Sequence, residues 1–80
     1  MHYVYIIRSI NFPDQIYVGC TSNLKKRFAD HNAGTTHHTE KYRPWELEVY
    51  FAFTNKEKAI AFEEYLKSGS GREFRNKRLL

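Results

Sequence analysis

The chain has 80 residues, enough for one domain and too few for two, so we expect a single domain over residues 1–80. Its 41% hydrophobic and 16% aromatic content is typical of a folded chain, and no apolar run reaches the ~18 residues that a membrane span needs. Cys20 is the only cysteine, which excludes an intrachain disulfide, and the N-terminus lacks a signal-peptide pattern, so we expect a cytoplasmic protein.

The net charge of +4 is unevenly distributed along the sequence. Residues 1–45 carry six basic and three acidic side chains, residues 46–66 carry two and five, and residues 67–80 carry five and one. Two basic ends therefore flank an acidic middle. Polyanions such as nucleic acids are natural partners of basic ends, although a solvated surface with a basic bias explains the same composition.

A β-hairpin is the first element that the sequence predicts. Residues 3–9 alternate and are rich in β-forming side chains, which places the odd-numbered residues on one face and the even-numbered ones on the other. Residues 11–14, Asn-Phe-Pro-Asp, are typical of a turn, and residues 15–19 form the partner strand. Tyr17 can therefore approach Tyr5 across the hairpin.

A helix is predicted next, from about residue 24 to residue 33, after a run of residues that can cap it. Gly34 is a suitable residue just beyond its end. Arg27 and His31 lie four residues apart on one flank of its apolar stripe, so they are neighbours on the helix surface. Residues 34–45 show little periodicity and are expected to form a loop.

The strand over residues 47–53 has the clearest pattern in the chain, because its odd-numbered residues are all apolar and predict one apolar face. A second helix begins near residue 55 and ends at the Gly-Ser-Gly break of residues 69–71. Ser70 is expected to cap a short third helix through about Lys77. The predicted order is β-β-α-β-α-α, an α+β fold.

Glu63 is the acidic residue with the most diagnostic position. Its carboxylate lies at the edge of the apolar stripe of the second helix, where burial costs free energy unless the charge is paired. One interpretation is an ion pair with an arginine or lysine. The other is a ligand for one hard divalent ion, since Mg²⁺ is often held by one or two carboxylates with water and phosphate oxygens. The absence of a carboxylate cluster argues against a two-metal site.

Arg27, His31 and two tyrosines complete the set of groups suited to phosphate chemistry. The planar guanidinium of Arg27 matches two phosphate oxygens, and His31 can activate a water near neutral pH. Taken alone, these residues are also compatible with a surface arginine and a half-buried histidine. Tyr5 and Tyr17 can equally be core residues, because a phenol titrates near ~10 and needs a nearby cation, such as Arg27 or a metal, to act as a base.

Two rival sites involve Cys20. A zinc site could draw on Cys20 with His31, His37 and His38, although their spacing fits no compact ligand pattern. A cysteine hydrolase could pair Cys20 with His31, because a position near a helix N-terminus lowers the pKa of a thiol.

Several segments in order resemble the GIY-YIG nuclease superfamily, in particular its small stand-alone bacterial branch, over nearly the whole chain. Tyr3-Val4-Tyr5 and Tyr17-Val18-Gly19 stand where the two signature triplets belong, with Tyr3 in place of the first glycine. Each match is weak alone, and the order and spacing make the resemblance specific. The remaining matching segments are residues 19–32, 43–47 and 59–69.

The resemblance implies a small three-stranded antiparallel sheet flanked by helices and an endonuclease that hydrolyses DNA phosphodiester bonds, in branched or damaged DNA. Glu63 would hold one Mg²⁺ or Mn²⁺, and Tyr5 would act as the general base or orient the attacking water. Tyr17 would support the phosphate or a water bound to the metal, Arg27 would stabilise developing charge, and His31 would assist proton transfer.

DNA binding would depend on basic side chains and would be salt-sensitive and non-specific. A protein partner could supply targeting, and no membrane association is expected. The alternative is a nucleic-acid-binding or partner-dependent module that has the nuclease fold and little activity alone. The basic residues assigned to DNA binding are Lys25, Lys26, Lys41, Arg43, Lys67 and Arg72.

Overall fold

The computed structural model describes residues 1–80 and contains three strands and three α-helices in the predicted order. The strands form one antiparallel sheet with the order β2-β1-β3, which places the first strand in the centre. None of the helices has the length and apolar character needed to cross a membrane. The elements are β1 (His2–Ser9), β2 (Ile16–Thr21), α1 (Leu24–Ala33), β3 (Trp45–Phe53), α2 (Lys56–Lys67) and α3 (Gly69–Arg78).

The alternation of β1 divides the core between the two faces of the sheet. Val4 and Ile6 are fully buried on one face, in the cluster that includes Leu66 of α2. Tyr5 and Ile7 are fully buried on the other face, where the apolar stripe of α1 packs. Because β1 is central and covered on both sides, four consecutive residues are inaccessible to solvent. This two-sided burial positions the Tyr5 ring under α1.

A β-bulge interrupts the pairing of β1 with β3, and it corrects one prediction. Ile6 pairs with Val49, whereas Ile7 pairs with Leu47, so one extra residue of β3 is accommodated at this point. Residues beyond a bulge point to the opposite face. Leu47 therefore lies on the tyrosine side of the sheet, and the prediction that all the odd-numbered residues of this strand share a face was wrong for Leu47.

The helix ends show which capping predictions were correct. Asn23 caps α1, its Oδ1 accepting from the backbone N–H of Lys26 at 3.2 Å, and Gly34 follows the helix at φ 78°. The predicted cap of the third helix was wrong. Ser68 caps α3 in place of Ser70, because its Oγ accepts from the N–H of Gly71 at 3.2 Å.

The segment between α1 and β3 is more structured than the predicted loop. It contains a single 3-10 turn, Glu40–Tyr42, and it holds the buried side chain of Thr39. Strand β3 also begins two residues earlier than predicted, at Trp45. The Trp45 indole N–H donates to the Thr39 carbonyl oxygen at 2.9 Å, and Asn32 of α1 donates to the Trp45 carbonyl oxygen at 3.1 Å. These contacts fix the segment against α1.

Candidate active site

The Tyr5 phenol lies in the centre of the candidate site and is completely buried. Gly19 of β2 is its direct partner across the hairpin. A Cβ atom at position 19 would overlap the Tyr5 hydroxyl and the ring carbon that carries it. Gly19 therefore provides the space that the phenol occupies, which gives the last residue of the second signature triplet a steric function.

His31 is held between two hydroxyl groups. The Tyr5 hydroxyl is 2.7 Å from His31 Nε2, and Thr39 Oγ1 is 2.7 Å from His31 Nδ1. Each ring nitrogen of His31 therefore has one hydroxyl partner. In the tautomer whose Nδ1–H donates to Thr39 Oγ1, Nε2 accepts from the Tyr5 hydroxyl.

Burial shifts the pKa values of both members of this pair. It lowers the pKa of His31 to about 4, and the adjacent Arg27 guanidinium adds to the effect. Burial also raises the pKa of Tyr5 to about 12 and outweighs the opposing influence of Arg27. Arg27 acts on the phenol pKa in the expected direction, and burial is the larger effect. Both groups are neutral at pH 7, and the proton stays on Tyr5.

Tyr17 and Arg27 form the partly exposed side of the same cluster. The Tyr17 ring centroid lies 5.1 Å from that of His31 and 6.4 Å from that of Tyr5. The Tyr5 phenol raises the pKa of Arg27, which keeps the guanidinium charged. Nε of Arg27 is buried and has no hydrogen-bond partner. A buried donor without a partner is unusual, and it is suited to an anionic oxygen.

Glu63 lies on α2, close enough to the cluster for its charge to add to the rise in the pKa of Tyr5. Its Oε2 accepts from Lys67 Nζ at 3.0 Å, and its side chain is 20% exposed. Lys67 Nζ also lies 5.9 Å from the centre of the Tyr17 ring, which connects the carboxylate to the tyrosines. The ion-pair interpretation of Glu63 therefore describes the resting arrangement.

The residues present fit a metal ion that takes most of its ligands from water and substrate. The structure has no group of three His, Cys, Asp or Glu side chains that could enclose a metal. Glu63 offers one carboxylate, and only its Oε2 is hydrogen-bonded. One carboxylate with water and phosphate oxygens is a known arrangement for Mg²⁺. The donor set thus fits a hard divalent ion at Glu63, with one protein carboxylate as its anchor.

The six basic residues assigned to DNA binding lie on different elements of the fold and have different local contacts. Lys67 lies at the candidate site, whereas Lys26 pairs with Asp30 of its own helix at 3.0 Å. Arg43 Nη1 donates to the Ala33 carbonyl oxygen at 2.9 Å and so caps the end of α1. Lys25 and Arg72 are exposed on α1 and α3, and Lys41 Nζ lies 5.5 Å from the centre of the Tyr42 ring.

Both rival sites are contradicted by the fold. Cys20 pairs with Val4 and packs on the α2 side of the sheet, whereas His31 lies on the tyrosine side. Burial, with help from Glu63, raises the pKa of the Cys20 thiol, although a position near a helix N-terminus was expected to lower it. His37 and His38 are exposed and contact each other, so no zinc ligand set is assembled.

Comparison with known proteins agrees with this geometry. The family model described as the GIY-YIG catalytic domain matches residues 1–78. The chain belongs to the GIY-YIG family. The resemblance inferred from the two tyrosine triplets is therefore confirmed, and the nuclease family of the chain with it.

GIY-YIG relatives include both small and large proteins. A UPF0213 protein of Streptococcus pyogenes serotype M3 is 38% identical over 66 residues, covering 81% of this chain and 70% of that protein. The structure-specific endonuclease subunit SLX1 of Debaryomyces hansenii is 35% identical over 71 residues, covering 80% of this chain. The chain spans only 20% of the length of that protein.

A solved GIY-YIG relative has the same fold. The solution NMR structure of a UPF0213 protein from Bacillus halodurans superposes with a TM-score of 0.56 at 30% identity, covering 94% of this chain and 79% of that chain.

Thr39, Gly19 and Lys67 contribute to the site in ways that the sequence did not reveal. Thr39 lies eight residues beyond His31 in a segment without periodicity, so no local pattern connects them. Gly19 was recognised as part of a triplet, and only the fold shows that it accommodates the Tyr5 phenol. The i,i+4 spacing of Glu63 and Lys67 was the one available signal for their ion pair.

Proposed function

We propose that this protein is a metal-dependent endonuclease that hydrolyses DNA phosphodiester bonds, including those of branched or damaged DNA. The observation that carries the proposal is the cluster of Tyr5, His31, Tyr17 and Arg27, in which a buried hydrogen-bonded pair adjoins a guanidinium whose buried Nε has no partner. The SLX1 relative is a structure-specific endonuclease subunit, which supports the choice of reaction and of a substrate that is recognised by its structure.

Arg27 is the proposed phosphate-binding residue. Arg27 is partly exposed and charged, and its buried Nε–H, which has no partner, would donate to a non-bridging phosphate oxygen that enters the cluster. Charge builds on these oxygens during phosphodiester hydrolysis, so a donor fixed in place beforehand lowers the barrier. Lys67, held near Tyr17, adds positive charge at the same edge of the cluster.

Tyr5 and His31 are proposed to move the proton of the attacking water. The water would give a proton to the Tyr5 oxygen while Tyr5 passes its own proton to Nε2 of His31, and the resulting hydroxide would attack phosphorus. The bond to the leaving oxygen breaks, and that oxygen takes a proton from solvent. Tyr5 is fully buried, so this step requires the partly exposed Tyr17 ring beside it to move aside and admit the water.

Glu63 is proposed to hold the divalent ion, Mg²⁺ or Mn²⁺. When bound, the ion would polarise a phosphate oxygen as a Lewis acid. Lys67 would then release the carboxylate and face the phosphate or Tyr17, both of which attract an ammonium group. Glu63 would thus have two alternative cationic partners, Lys67 of its own helix in the absence of metal and the divalent ion when it is bound.

Hydroxyl and carboxylate substitutions test the proposal against closely matched controls. Labelled branched and linear DNA is incubated with Mg²⁺ or Mn²⁺ and the full chain. Tyr5→Phe and Glu63→Gln should abolish cleavage and retain the fold, whereas Tyr65→Phe and Glu64→Gln, both exposed on α2, should cleave like the wild type. Cleavage by Tyr5→Phe at the wild-type rate would refute the proposed role of the phenol.

A partner-dependent module is the second candidate function. The SLX1 relative is named as a subunit and is about five times as long as the aligned domain, and the basic residues of this chain are dispersed. Such a module would bind DNA with normal salt dependence and would leave all tested substrates uncut by itself. Cleavage that appears only with a second protein, and disappears in Glu63→Gln, would identify this case.

A further inference from the structure

A cleft of about 420 Å³ lies between the first turn of α1 and the strands β1 and β3. We call it the tyrosine cleft. Leu24 and Phe28 separate it from the candidate active site, because these two side chains pack against the Tyr5 cluster and also line the cleft. Six of the eight residues that line it are Tyr3, Leu24, Lys25, Phe28, Leu47 and Tyr50.

Tyr50 presents an aromatic ring to solvent in this cleft. It is 52% exposed, although it lies within a strand. The ring of Tyr3 supports it at a centroid distance of 6.0 Å and an interplanar angle of 65°. This near-perpendicular contact restrains the Tyr50 ring and does not cover it face to face. A restrained, exposed ring is suited to stacking with a planar ligand.

The β-bulge supplies the apolar floor of the cleft. Leu47 follows the register shift and therefore lies beside Tyr50, where it is 37% exposed. In regular pairing it would join Val49 on the opposite face and contribute to the core. Bulges commonly redirect a side chain next to a functional site.

The charge along the cleft favours an anionic ligand. Lys25 lines one wall, and the first turn of α1 contains no acidic residue. Ser22 and Asn23 add polar groups at the same end. Arg27, two residues beyond Lys25, already belongs to the candidate active site. An apolar aromatic floor with a cationic wall matches a nucleotide, whose base is planar and whose phosphate is negative.

We propose that the tyrosine cleft binds the base of an unpaired DNA nucleotide, stacked on Tyr50, with the adjoining phosphate at Lys25. The choice of DNA rests on the proposed function, and the cleft would then direct that activity to junctions, flaps or bulges. A fully paired base is stacked within the duplex and cannot enter the cleft. The selectivity comes from the exposed base, in contrast to the sequence-tolerant phosphate contacts of Arg27.

Binding measured without divalent ions separates this proposal from the nuclease reaction. The probe is a duplex with one unpaired 2-aminopurine, compared with the same duplex carrying an abasic residue there and with a fully paired duplex. The wild type should bind the unpaired base about 5- to 100-fold tighter than the abasic strand and quench its fluorescence. Equal affinities for the duplexes with the unpaired base and with the abasic residue, or no binding to any of the three duplexes, would overturn the proposal.

Two substitutions then assign the effect to the ring of Tyr50. Tyr50→Thr, which retains a β-forming residue, should remove the preference for the unpaired base, and Tyr50→Trp should keep it. Tyr65→Ala removes a tyrosine of similar exposure, 41%, from α2 and should match the wild type. If Tyr50→Thr lowers the affinity for the unpaired-base duplex and for the abasic duplex by the same factor, stacking of the base on Tyr50 is refuted.

The two proposals can fail independently. Base-selective binding by a protein that never cuts DNA would support the cleft and refute the nuclease activity. Cleavage by the wild type with no preference for an unpaired base would support the nuclease activity and refute the proposed role of the cleft.

Discussion

The buried imidazole of His31 should make the folding stability depend on pH between about 4 and 6.5. The folded-state pKa is about 4, against an ordinary value of 6.5 in the unfolded chain. In this window the unfolded chain binds a proton that the folded chain excludes, so acid favours unfolding. The contribution of neutral His31 is complete above pH 6.5, decreases as the pH falls, and is fully lost below pH 4.

The size of the effect follows from the difference between the two pKa values. Their separation corresponds to about 3 kcal/mol in total, of which about 2 kcal/mol is lost between pH 7.5 and pH 5. For a domain of this size, that loss lowers the melting temperature by about 10 °C. The window stops at pH 5 because ordinary carboxylates begin to titrate below it.

Urea and thermal unfolding by circular dichroism at pH 5 to 7.5 measure this dependence, and NMR of the imidazole protons identifies the residue that titrates. His31→Gln should flatten the pH dependence, whereas His37→Gln, in an exposed position, should keep the wild-type slope. If His31 titrates near 6.5 in the folded protein, or if His31→Gln keeps the full slope, the assignment of a buried neutral imidazole is incorrect.

Three further substitutions test the local geometry. Gly19→Ala places a methyl group against the Tyr5 hydroxyl and should destabilise the fold by about 1–3 kcal/mol and reduce cleavage. Gly69→Ala, at a position with open space around it, should be tolerated, and equal melting temperatures for these two variants would contradict the overlap at position 19. Ser68→Ala should cost about 1 kcal/mol through loss of the α3 cap, and Ser70→Ala much less, as chemical denaturation will show. Arg27→Lys keeps the charge and loses the planar fork, so cleavage should fall on the order of 10²-fold with unchanged folding, and Arg78→Lys serves as its control.

The sequence predicted the parts of this protein that depend on periodicity. The two-residue repeat of β1 predicted that Tyr5 and Val4 lie on opposite faces of the sheet. The four-residue spacing of Arg27 and His31 predicted that they are neighbours on the surface of α1. Both predictions hold because one buried face is enough to fix the register of a strand or the rotation of a helix. The order of elements was confirmed for the same reason, and the three-stranded antiparallel sheet implied by the family resemblance was confirmed with it.

The features that escaped prediction depend on contacts between distant segments. No pattern in β3 marks the bulge that moves Leu47, because bulges respond to pairing with β1 and not to local sequence. Thr39 could not be linked to His31 without the fold that brings the loop against α1. The sequence left open whether Tyr5 is a core residue or a site residue, and only the fold shows that it is both and that burial outweighs the effect of Arg27 on its pKa.

Because Tyr5 lies on the central strand, the candidate active site and the hydrophobic core share one side chain. Tyr5 is at once a core residue, with no exposed surface, and the residue whose oxygen contacts His31. A large change at this position opens a cavity in an 80-residue domain, so descendants of this protein that discard the ring would rarely fold. A single lost oxygen, as in phenylalanine, leaves the packing nearly intact. Inactive descendants of this chain should therefore be stable proteins that differ from active ones by very few atoms.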